Sequence, residues 1–305
     1  MTRGRILAFG TAVVVALIAA LGATATPPGR NGLIVYAQEL RPEHYQLFTI
    51  HPDGSGAKRI THVVNAANPD WSPNGKTIVS EVESKNGAGI TLVSPTGSVI
   101  RNLTPTGERG QPSFSPDGKW IVYESDISAN GIWLMRSNGT AQRRVTRNPK
   151  CCDTDPNFSP NGKLITFVRI KEDGRQQALF AVRPNGTGLR QVTPYSWEVA
   201  IKHDWSPDGK LIVLTTNADF VRPKESANLV TIRPDGSGMK NLTGFTGGTE
   251  NAFAGSFSPD GEQIVFRIES GDRYSLAVID RDGGNLQRIT TGKGRPRFID
   301  WGTHQ

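Results

Sequence analysis

Short apolar runs recur along the chain, and each is followed by a loop, a second apolar run and a more polar stretch. The first runs do not alternate with polar residues, which indicates strands buried on both faces. Each polar stretch ends in an apolar residue and a threonine, as in Ile60-Thr61 and Leu242-Thr243. The first runs lie at residues 33–36, 78–79, 121–123, 164–167, 211–214 and 264–266. This order predicts six units of four strands.

A turn motif precedes most of these runs. Trp71-Ser72-Pro73-Asn74-Gly75-Lys76 returns in related form at Phe114, Phe158, Trp205 and Phe257, at steps of 43, 44, 47 and 52 residues. Proline presets φ in such a turn, and glycine takes the left-handed conformation that follows it. We therefore interpret the motif as a hairpin turn, and its aromatic residue as core between neighbouring units.

A repeat of this length built from short strands is typical of a β-propeller. The next step of 44 residues reaches Trp301-Gly302, where the chain ends, and the turn and strand expected after it open the repeats at residues 28–36. The sequence therefore predicts an all-β, six-bladed propeller of four-stranded antiparallel blades. One blade is shared by both termini, so that pairing of the N- and C-terminal strands closes the ring.

The N-terminal residues 1–25 have the pattern of a secretory signal peptide. Arg3 and Arg5 precede an apolar stretch at residues 6–21, and Ala23-Thr24-Ala25 provides a small-residue exit. We favour cleavage over retention as a membrane anchor, because 16 residues are short for a spanning helix. This predicts a periplasmic or extracellular protein whose residues 26–305 form one propeller domain.

The charge of the chain is mildly basic. Removing the signal peptide lowers the formal net charge from +7 to +5, and the basic residues are scattered. Such a distribution does not indicate a nucleic-acid partner. We expect no contact with the membrane beyond the signal peptide, and a monomer.

The unit Phe/Trp-Ser-Pro-Asp-Gly-Lys followed by two apolar residues resembles the WD40-like (PD40) repeat of TolB-like propellers. The resemblance covers essentially the whole of residues 26–305. It implies an exported, non-enzymatic binding module with a protein partner in the cell envelope. The repeat also occurs in propellers of tricorn-type and prolyl-oligopeptidase-like enzymes, but no Gly-x-Ser-x-Gly motif is present here. The resemblance does not extend to the α/β domain that precedes the propeller in TolB, so we expect a protein without that domain.

Candidate catalytic chemistry is sparse. The five histidines have no metal-ligand spacing, so we expect no metal site, no cofactor and no catalytic residue. One alternative remains open. His203 precedes the anchor Trp205 by two residues, at the predicted channel mouth, and there it would serve a lyase- or hydrolase-type propeller enzyme, or a sensor, for a saccharide or small metabolite.

The two cysteines, Cys151 and Cys152, are adjacent. A vicinal disulfide between them would be strained, since neighbouring Cα atoms lie about 3.8 Å apart. Free or intermolecularly paired thiols are the alternative, and a redox or metal role is a third, although two thiols alone cannot complete a metal site.

Binding residues are expected on the face that carries the connections between second and third strands and between blades, because these segments depart most from the repeat. We call it the variable face, and the opposite one the turn face. Tyr195, Trp197 and Phe220 are its aromatic candidates, and His203 lies beside them. Five cations form a candidate ring at the channel mouth: Arg109, Lys202, Lys293, Arg295 and Arg297. Such a ring would prefer an acidic partner surface or an anionic envelope polymer, unless Asp153, Asp155, Glu198 and Glu250 balance it.

Overall fold

The structure is a computed structural model. It describes residues 29–62, 65–84, 87–104, 109–125, 131–148, 152–172, 176–217, 225–292 and 294–304. The signal-peptide prediction therefore lies outside the described residues.

The described residues form twenty-four strands and one short 3-10 helix, Tyr195–Trp197. In chain order the strands are β1 (Asn31–Arg41), β2 (His44–Ile50), β3 (Lys58–Arg59), β4 (Asn65–Trp71), β5 (Ile78–Ser84), β6 (Gly87–Val93), β7 (Val99–Asn102), β8 (Arg109–Phe114), β9 (Trp120–Ser125), β10 (Gly131–Arg136), β11 (Arg143–Arg144), β12 (Asp153–Phe158), β13 (Ile165–Ile170), β14 (Gln177–Val182), β15 (Arg190–Gln191), β16 (His203–Trp205), β17 (Ile212–Thr216), β18 (Asn228–Ile232), β19 (Lys240–Asn241), β20 (Asn251–Phe257), β21 (Gln263–Ser270), β22 (Arg273–Asp280), β23 (Gln287–Arg288) and β24 (Arg295–Thr303).

These strands form six antiparallel sheets of four, which confirms the predicted six-bladed propeller. Blade 1 has the order β24-β1-β2-β3, and blades 2 to 6 use β4–β7, β8–β11, β12–β15, β16–β19 and β20–β23. β24 pairs with β1, with Trp301 opposite Ile34 and Thr303 opposite Asn31. The shared blade predicted from the sequence is therefore confirmed. In the part of the chain that the structure describes, no helix is long and apolar enough to cross a membrane.

The Ser-Pro-Asp/Asn-Gly segments are hairpin turns between the first and second strands of a blade. Gly118 has φ 68° and Gly209 φ 68°, which is the left-handed region that glycine tolerates best. Within the turn, the Ser115 hydroxyl donates to Asp117 Oδ1 at 2.7 Å and accepts a hydrogen bond from the Trp120 amide at 2.9 Å. The turn chemistry thus explains the repeat without a ligand.

Apolar residues pack between blades, and the aromatic anchors lie at these interfaces. Trp301 is 1% exposed and packs with Ile34 of its own blade and Val265 of blade 6. Phe158 packs with Val122 and Leu134 of blade 3. The outer strands are short and rich in Lys and Arg, a composition that protects sheet edges from pairing with other chains.

Side chains on the first strands also tie each blade to the next. These first strands contact one another around the ring and thus line the central channel. The residue just before each aromatic anchor is polar, and most of these residues bond the backbone of the following blade. The bonds are Trp71 N to Asp300 (2.7 Å), Phe114 N to Asp70 (2.8 Å), Asn157 Nδ2 to His203 O (3.0 Å), Phe257 N to Asp204 (2.9 Å) and Trp301 N to Ser256 Oγ (3.2 Å). Gln111, three residues before the anchor Phe114, ties blade 3 to blade 4 by accepting the Asp155 amide.

Candidate functional site

The centre of the channel holds a buried lysine among carboxylates. Lys202 is 9% exposed, and its φ of 115° is one that residues other than glycine rarely adopt. Four carboxylates from four blades act on its charge: Asp155, Asp300, Asp70 and Asp204. At the turn end of the channel, the residues around three of them leave a cavity of about 10 Å³. The sequence placed Lys202 in a ring of cations at the mouth, and the structure instead buries it inside the channel.

The charges in this cluster shift one another's protonation. Burial raises the pKa of Asp204 to about 7, with a further contribution from the charge of Asp300. Burial and Asp300 also raise the pKa of Asp70, and burial raises that of Asp300. Burial by itself lowers the pKa of Lys202, but the surrounding carboxylates, led by Asp155, raise it above its ordinary value. Among the described residues, no group of three or more His, Cys, Asp or Glu side chains is arranged to hold a metal ion.

These shifts predict that the protein is less stable at pH 8 than at pH 5. The pKa of Asp204 is higher in the folded state than its ordinary value of 3.8. At pH values between about 4 and about 7, the folded state therefore binds more protons than the unfolded state. The free energy of unfolding falls as pH rises through this interval. At about 1.4 kcal/mol per pKa unit, Asp204 accounts for roughly 2 to 4 kcal/mol of this loss. Thermal unfolding at pH 5 and pH 8 measures it.

Asp204→Asn removes this titration and keeps an oxygen that accepts from the Phe257 amide. We expect the variant to lose less stability than the wild type between pH 5 and pH 8. Asp272→Asn is the matched control, because Asp272 is exposed in the turn between β21 and β22. A wild-type melting temperature that rises from pH 5 to pH 8, or equal slopes in wild type and Asp204→Asn, would contradict the burial of an ionisable Asp204.

His203 joins blades 4 and 5 instead of lining an open mouth. It is 0% exposed, with Nδ1 at 2.9 Å from Asp155 Oδ2 and Nε2 at 2.8 Å from Thr166 Oγ1. The Trp205 indole donates to the same hydroxyl at 2.8 Å, and that hydroxyl lies 3.3 Å from the Asn157 carbonyl, to which it can donate. The spatial order Asp, His, Thr resembles that of a catalytic triad, but Thr166 is 1% exposed. This geometry serves blade packing.

Arg295 and Arg297 lie together on β24, where the mouth passes from blade 6 to blade 1. Arg295 is 3.6 Å from Glu39 Oε2 and 3.3 Å from Glu269 Oε1, and Arg297 Nε is 3.6 Å from Glu39 Oε2. The Arg295 guanidinium also lies over the Tyr274 ring, 5.2 Å from its centroid. The two cations thus pair with Glu39 and Glu269, of which Glu269 also holds the buried Arg267 at 2.7 Å, whereas the sequence suggested Asp153, Asp155, Glu198 and Glu250.

Asp153 and Asp155 are buried in β12 and have other partners. Asp153 holds Arg169 through two hydrogen bonds of 2.7 Å each. The hydrogen bond and charge of His203 outweigh burial and keep the pKa of Asp155 below its ordinary value. These two carboxylates therefore stabilise blades 4 and 5 and do not neutralise the rim.

The other predicted binding residues are spread over the variable face. Arg109 begins β8 of blade 3 and is half-buried. Tyr195 and Trp197 form the 3-10 helix between blades 4 and 5 and are partly exposed. The Lys171 ammonium lies 4.5 Å from the Tyr195 ring centroid, and Trp197 packs against the core between these blades. Phe220 and Lys293 lie outside the described residues.

The cysteine pair is described only in part. Cys151 lies outside the described residues, so the vicinal disulfide stays a prediction. Cys152 is half-buried before β12, and its carbonyl accepts the Ile170 amide at 3.0 Å.

A cavity of about 310 Å³ opens on the variable face between blades 1 and 2, and we call it the mouth cavity. Tyr45 and Phe298 form an edge-to-face pair in its lining, with centroids 6.1 Å apart. Its other lining residues are polar or small: Glu43, Asn65, Ala67, Asn68, Glu81, Glu83, Gly87 and Ala88. None of them belongs to the turn motif of the repeat. The cavity is therefore specific to this sector of the ring.

Two larger clefts, of about 390 and 380 Å³, lie on the turn face. The first is lined by Phe158, Gly162 and Pro184 of blade 4, and the second by residues at the corresponding positions of blade 2, Trp71, Gly75 and Pro95. Because both clefts use the same positions of the repeat, they follow from how blades pack. The mouth cavity is the better candidate for a specific ligand.

Comparison with known proteins agrees with this architecture. The family description "TolB beta propeller domain" (PD40) matches residues 128–305. The chain belongs to the TolB β-propeller family. No curated protein matches this TolB-family chain.

Solved structures share the fold. TolB from Acinetobacter baumannii has 22% identity and a TM-score of 0.73, covering 90% of this chain and 67% of its own. A putative TolB from Agrobacterium tumefaciens has 19% identity and a TM-score of 0.66, covering 86% and 91%. An oligogalacturonate lyase in complex with manganese has 12% identity and a TM-score of 0.54, covering 87% and 75%. At these identities the likeness of the TolB-family chain to each structure concerns the fold alone.

Sequence reasoning missed two groups of residues in this TolB-family propeller. The residues between blades were detectable, because a polar residue precedes each aromatic anchor: Asp70, Ser113, Asn157, Asp204, Ser256 and Asp300. The mouth cavity had a weaker signal. Tyr45 falls in a variable loop, but Asn65 and Glu81 lie on strands of blade 2 and Phe298 lies on β24 of blade 1, and nothing in their spacing indicates that they meet.

Proposed function

We propose that this chain is an exported, non-enzymatic propeller that binds a protein partner in the cell envelope through the sector of the variable face around the mouth cavity. It acts as a single-domain monomer. Export follows from the signal-peptide pattern of residues 1–25. The observation that supports the binding site is the mouth cavity itself, whose aromatic and charged residues stand outside the repeat that builds the scaffold.

The surroundings of the cavity favour a macromolecular surface over a small substrate in the channel. Half-buried Tyr45 and Phe298 are the kind of aromatic residues that anchor protein interfaces. The adjacent Arg295 and Arg297, with Glu39 and Glu269, give the rim charges of both signs, which suits a patterned protein surface better than a uniformly anionic polymer. Deeper in the channel, Lys202 and His203 are buried and held by other residues.

Capture from the envelope tests the proposal. The full chain is expressed in its own organism, recovered from the extracytoplasmic fraction and used as bait, alongside Tyr45→Ala and Trp120→Ala. Trp120 is a half-buried aromatic on the turn face, so it controls for the loss of a ring. Melting curves establish that both variants fold.

We expect a protein captured by the wild type and by Trp120→Ala, with recovery reduced about tenfold or more by Tyr45→Ala, as for an aromatic anchor at an interface. Loss of the captured protein in Trp120→Ala with retention in Tyr45→Ala would place the interface on the turn face. Recovery of the bait from the cytoplasm alone would contradict export.

A further inference from the structure

We propose that the turn face of blades 3 to 5 rests on an anionic membrane surface. This face lies opposite the mouth cavity, and the inference does not depend on the partner proposed there. In the sequence the basic residues are scattered, and they indicated no contact with the membrane beyond the signal peptide. The propeller brings many of them to one sector of one face, together with exposed apolar side chains.

Cations outnumber carboxylates on this sector. The structure describes all of its turn segments, which are 114–120, 136–143, 158–164, 183–190, 205–211 and 233–240. These segments expose nine Lys and Arg side chains and three carboxylates, Asp117, Asp208 and Asp235. The matching segments of blade 6, 257–263 and 280–287, expose three carboxylates, and their one cation, Arg281, is half-buried against Asp208 at 3.4 Å. The excess of positive charge therefore belongs to one sector and not to the repeat as such.

Most of these cations are not neutralised by their own chain. Lys119 and Lys210 lie beside the carboxylates of their own turns, at 3.6 and 3.7 Å. Among the residues that the structure describes, the other seven have no carboxylate within ion-pair distance: Arg136, Arg143, Lys163, Arg183, Arg190, Arg233 and Lys240. Arg143, for example, donates to the Pro184 carbonyl of the next blade at 2.9 Å, which leaves its charge uncompensated. The sector therefore attracts anions.

Exposed apolar side chains share one position of the repeat. Leu189 of blade 4 is 47% exposed, and Met239 of blade 5 is 52% exposed. Each lies three positions before the apolar-threonine pair of its blade, and each is followed directly by a basic residue. Ile100 of blade 2 and Leu286 of blade 6 occupy the same position and are also exposed. Because equal positions of a repeat lie at the same height in a propeller, these side chains lie in one plane at the outer rim of the turn face.

A lipid surface fits this arrangement better than a protein surface does. Protein interfaces bury a contiguous apolar centre, whereas these side chains are separated by the spacing of the blades. A membrane receives each apolar side chain separately at the boundary between headgroups and acyl chains, while the neighbouring cations attract anionic headgroups. A soluble anionic polymer would use the cations but not the apolar side chains. Coplanar apolar residues beside unneutralised cations therefore favour an anionic membrane.

Vesicle flotation tests the inference, with vesicles of phosphatidylcholine alone or with about 30% of the anionic lipid phosphatidylglycerol. The full chain is expressed and purified, and every variant carries the same N-terminus, so that binding by residues 1–25 is common to all of them. Lys163→Glu/Arg183→Glu reverses two exposed cations of blade 4. Its control is Arg147→Glu/Arg273→Glu, which reverses two exposed cations in connections of the variable face. Melting curves establish that the variants fold.

We expect the wild type to bind the anionic vesicles at least about tenfold more tightly than the neutral ones. Lys163→Glu/Arg183→Glu should bind the anionic vesicles at least about thirtyfold more weakly than the wild type, because it loses two attractions and gains two repulsions. Arg147→Glu/Arg273→Glu has the same net charge and should bind almost as the wild type does. Raising salt from about 0.05 to about 0.3 M should weaken binding of the wild type to the anionic vesicles.

Two further variants test the apolar rim. Leu189→Ser/Met239→Ser should bind the anionic vesicles about tenfold more weakly than the wild type, because each side chain would bury apolar groups at the lipid boundary. Leu40→Ser/Ile201→Ser is the control, since both side chains are exposed apolar ones at the variable end of the blades. This control should bind as the wild type does.

Equal binding of the neutral and anionic vesicles, or of the two charge-reversed variants, would overturn the inference. Binding that depends on Lys163 and Arg183 but not on Leu189 and Met239 would assign the face to a soluble anionic polymer or an acidic protein, and this too would overturn the membrane. Envelope capture reports separately on the variable face. A partner lost in Tyr45→Ala from a protein that does not bind vesicles supports the proposed function and overturns the membrane contact alone.

Discussion

Deletion of residues 298–305 is expected to abolish cooperative unfolding and to make the protein aggregate. The deletion removes Trp301, which is 1% exposed, and most of β24. It also removes Asp300, which accepts the Trp71 amide of blade 2 at 2.7 Å. β1 would become an exposed sheet edge, and such edges pair with other chains. Removing the buried side chains of Ile299 and Trp301 together with the pairing of β24 should cost a large part of the ~5–15 kcal/mol that typically stabilises a single domain.

Circular dichroism during heating and size-exclusion chromatography measure this outcome. Deletion of residues 304–305 is the control, because it leaves β24 intact. The control should unfold cooperatively as a monomer. A 298–305 deletion that melts like the wild type would show that the ring does not depend on the shared blade.

Lys202→Met is expected to destabilise the protein by about 3 to 5 kcal/mol at pH 8, the usual cost of removing one partner from a buried charge cluster. The methionine fills a similar volume, but it leaves Asp155, Asp204 and Asp300 without the ammonium. At pH 5 the loss should be smaller, because the carboxylates with a raised pKa take up protons. Urea unfolding at both pH values measures the difference.

The control is Lys210→Met, since the Lys210 side chain is 79% exposed on a turn and an exposed ion pair contributes about 1 kcal/mol or less. The double variant Lys202→Met/Asp204→Asn should recover part of the lost stability, because one of the uncompensated charges is gone. If Lys202→Met is as stable as the wild type at pH 8, the ammonium does not hold the cluster together.

The architecture was predictable because its determinants are local and repeated. A Ser-Pro-Asp-Gly turn needs only four consecutive residues, and the pairing of the termini follows from where the repeat is interrupted, at Trp301 and at residues 28–36. Blade number, strand order and the closing pair β24–β1 are accordingly all confirmed.

The positions of the charged residues were less predictable, because the charge of a side chain does not indicate how deep in the channel it lies. The sequence gives no reason to separate Lys202 from the cations Arg295 and Arg297. The structure nevertheless places Lys202 inside the channel and the two arginines on its rim. Lys202 sits three residues before its anchor, at the position where the first strands carry a bulge, as the register shift between Ala67 and Asp70 shows in blade 2. Such a bulge changes the direction in which a side chain points. The sequence around Lys202 does not indicate that a bulge lies there.

The mouth cavity was hidden for a different reason. Glu81 and Glu83 belong to blade 2, whereas Tyr45 and Phe298 belong to the two halves of blade 1 and are about 250 residues apart in sequence. These four residues lie close together only because the ring closes and because the loop between β1 and β2 reaches blade 2. Only the assembled structure brings them to one sector.

Site-specific photocrosslinking in living cells tests most directly whether the mouth sector of the variable face is the binding surface. A photoreactive phenylalanine is placed at Tyr45, beside the mouth cavity, or at Trp120 on the turn face, and crosslinked products are resolved by mass. We expect a discrete product of one protein partner from position 45 and none from position 120. A discrete product from position 120, with none from position 45, would contradict it.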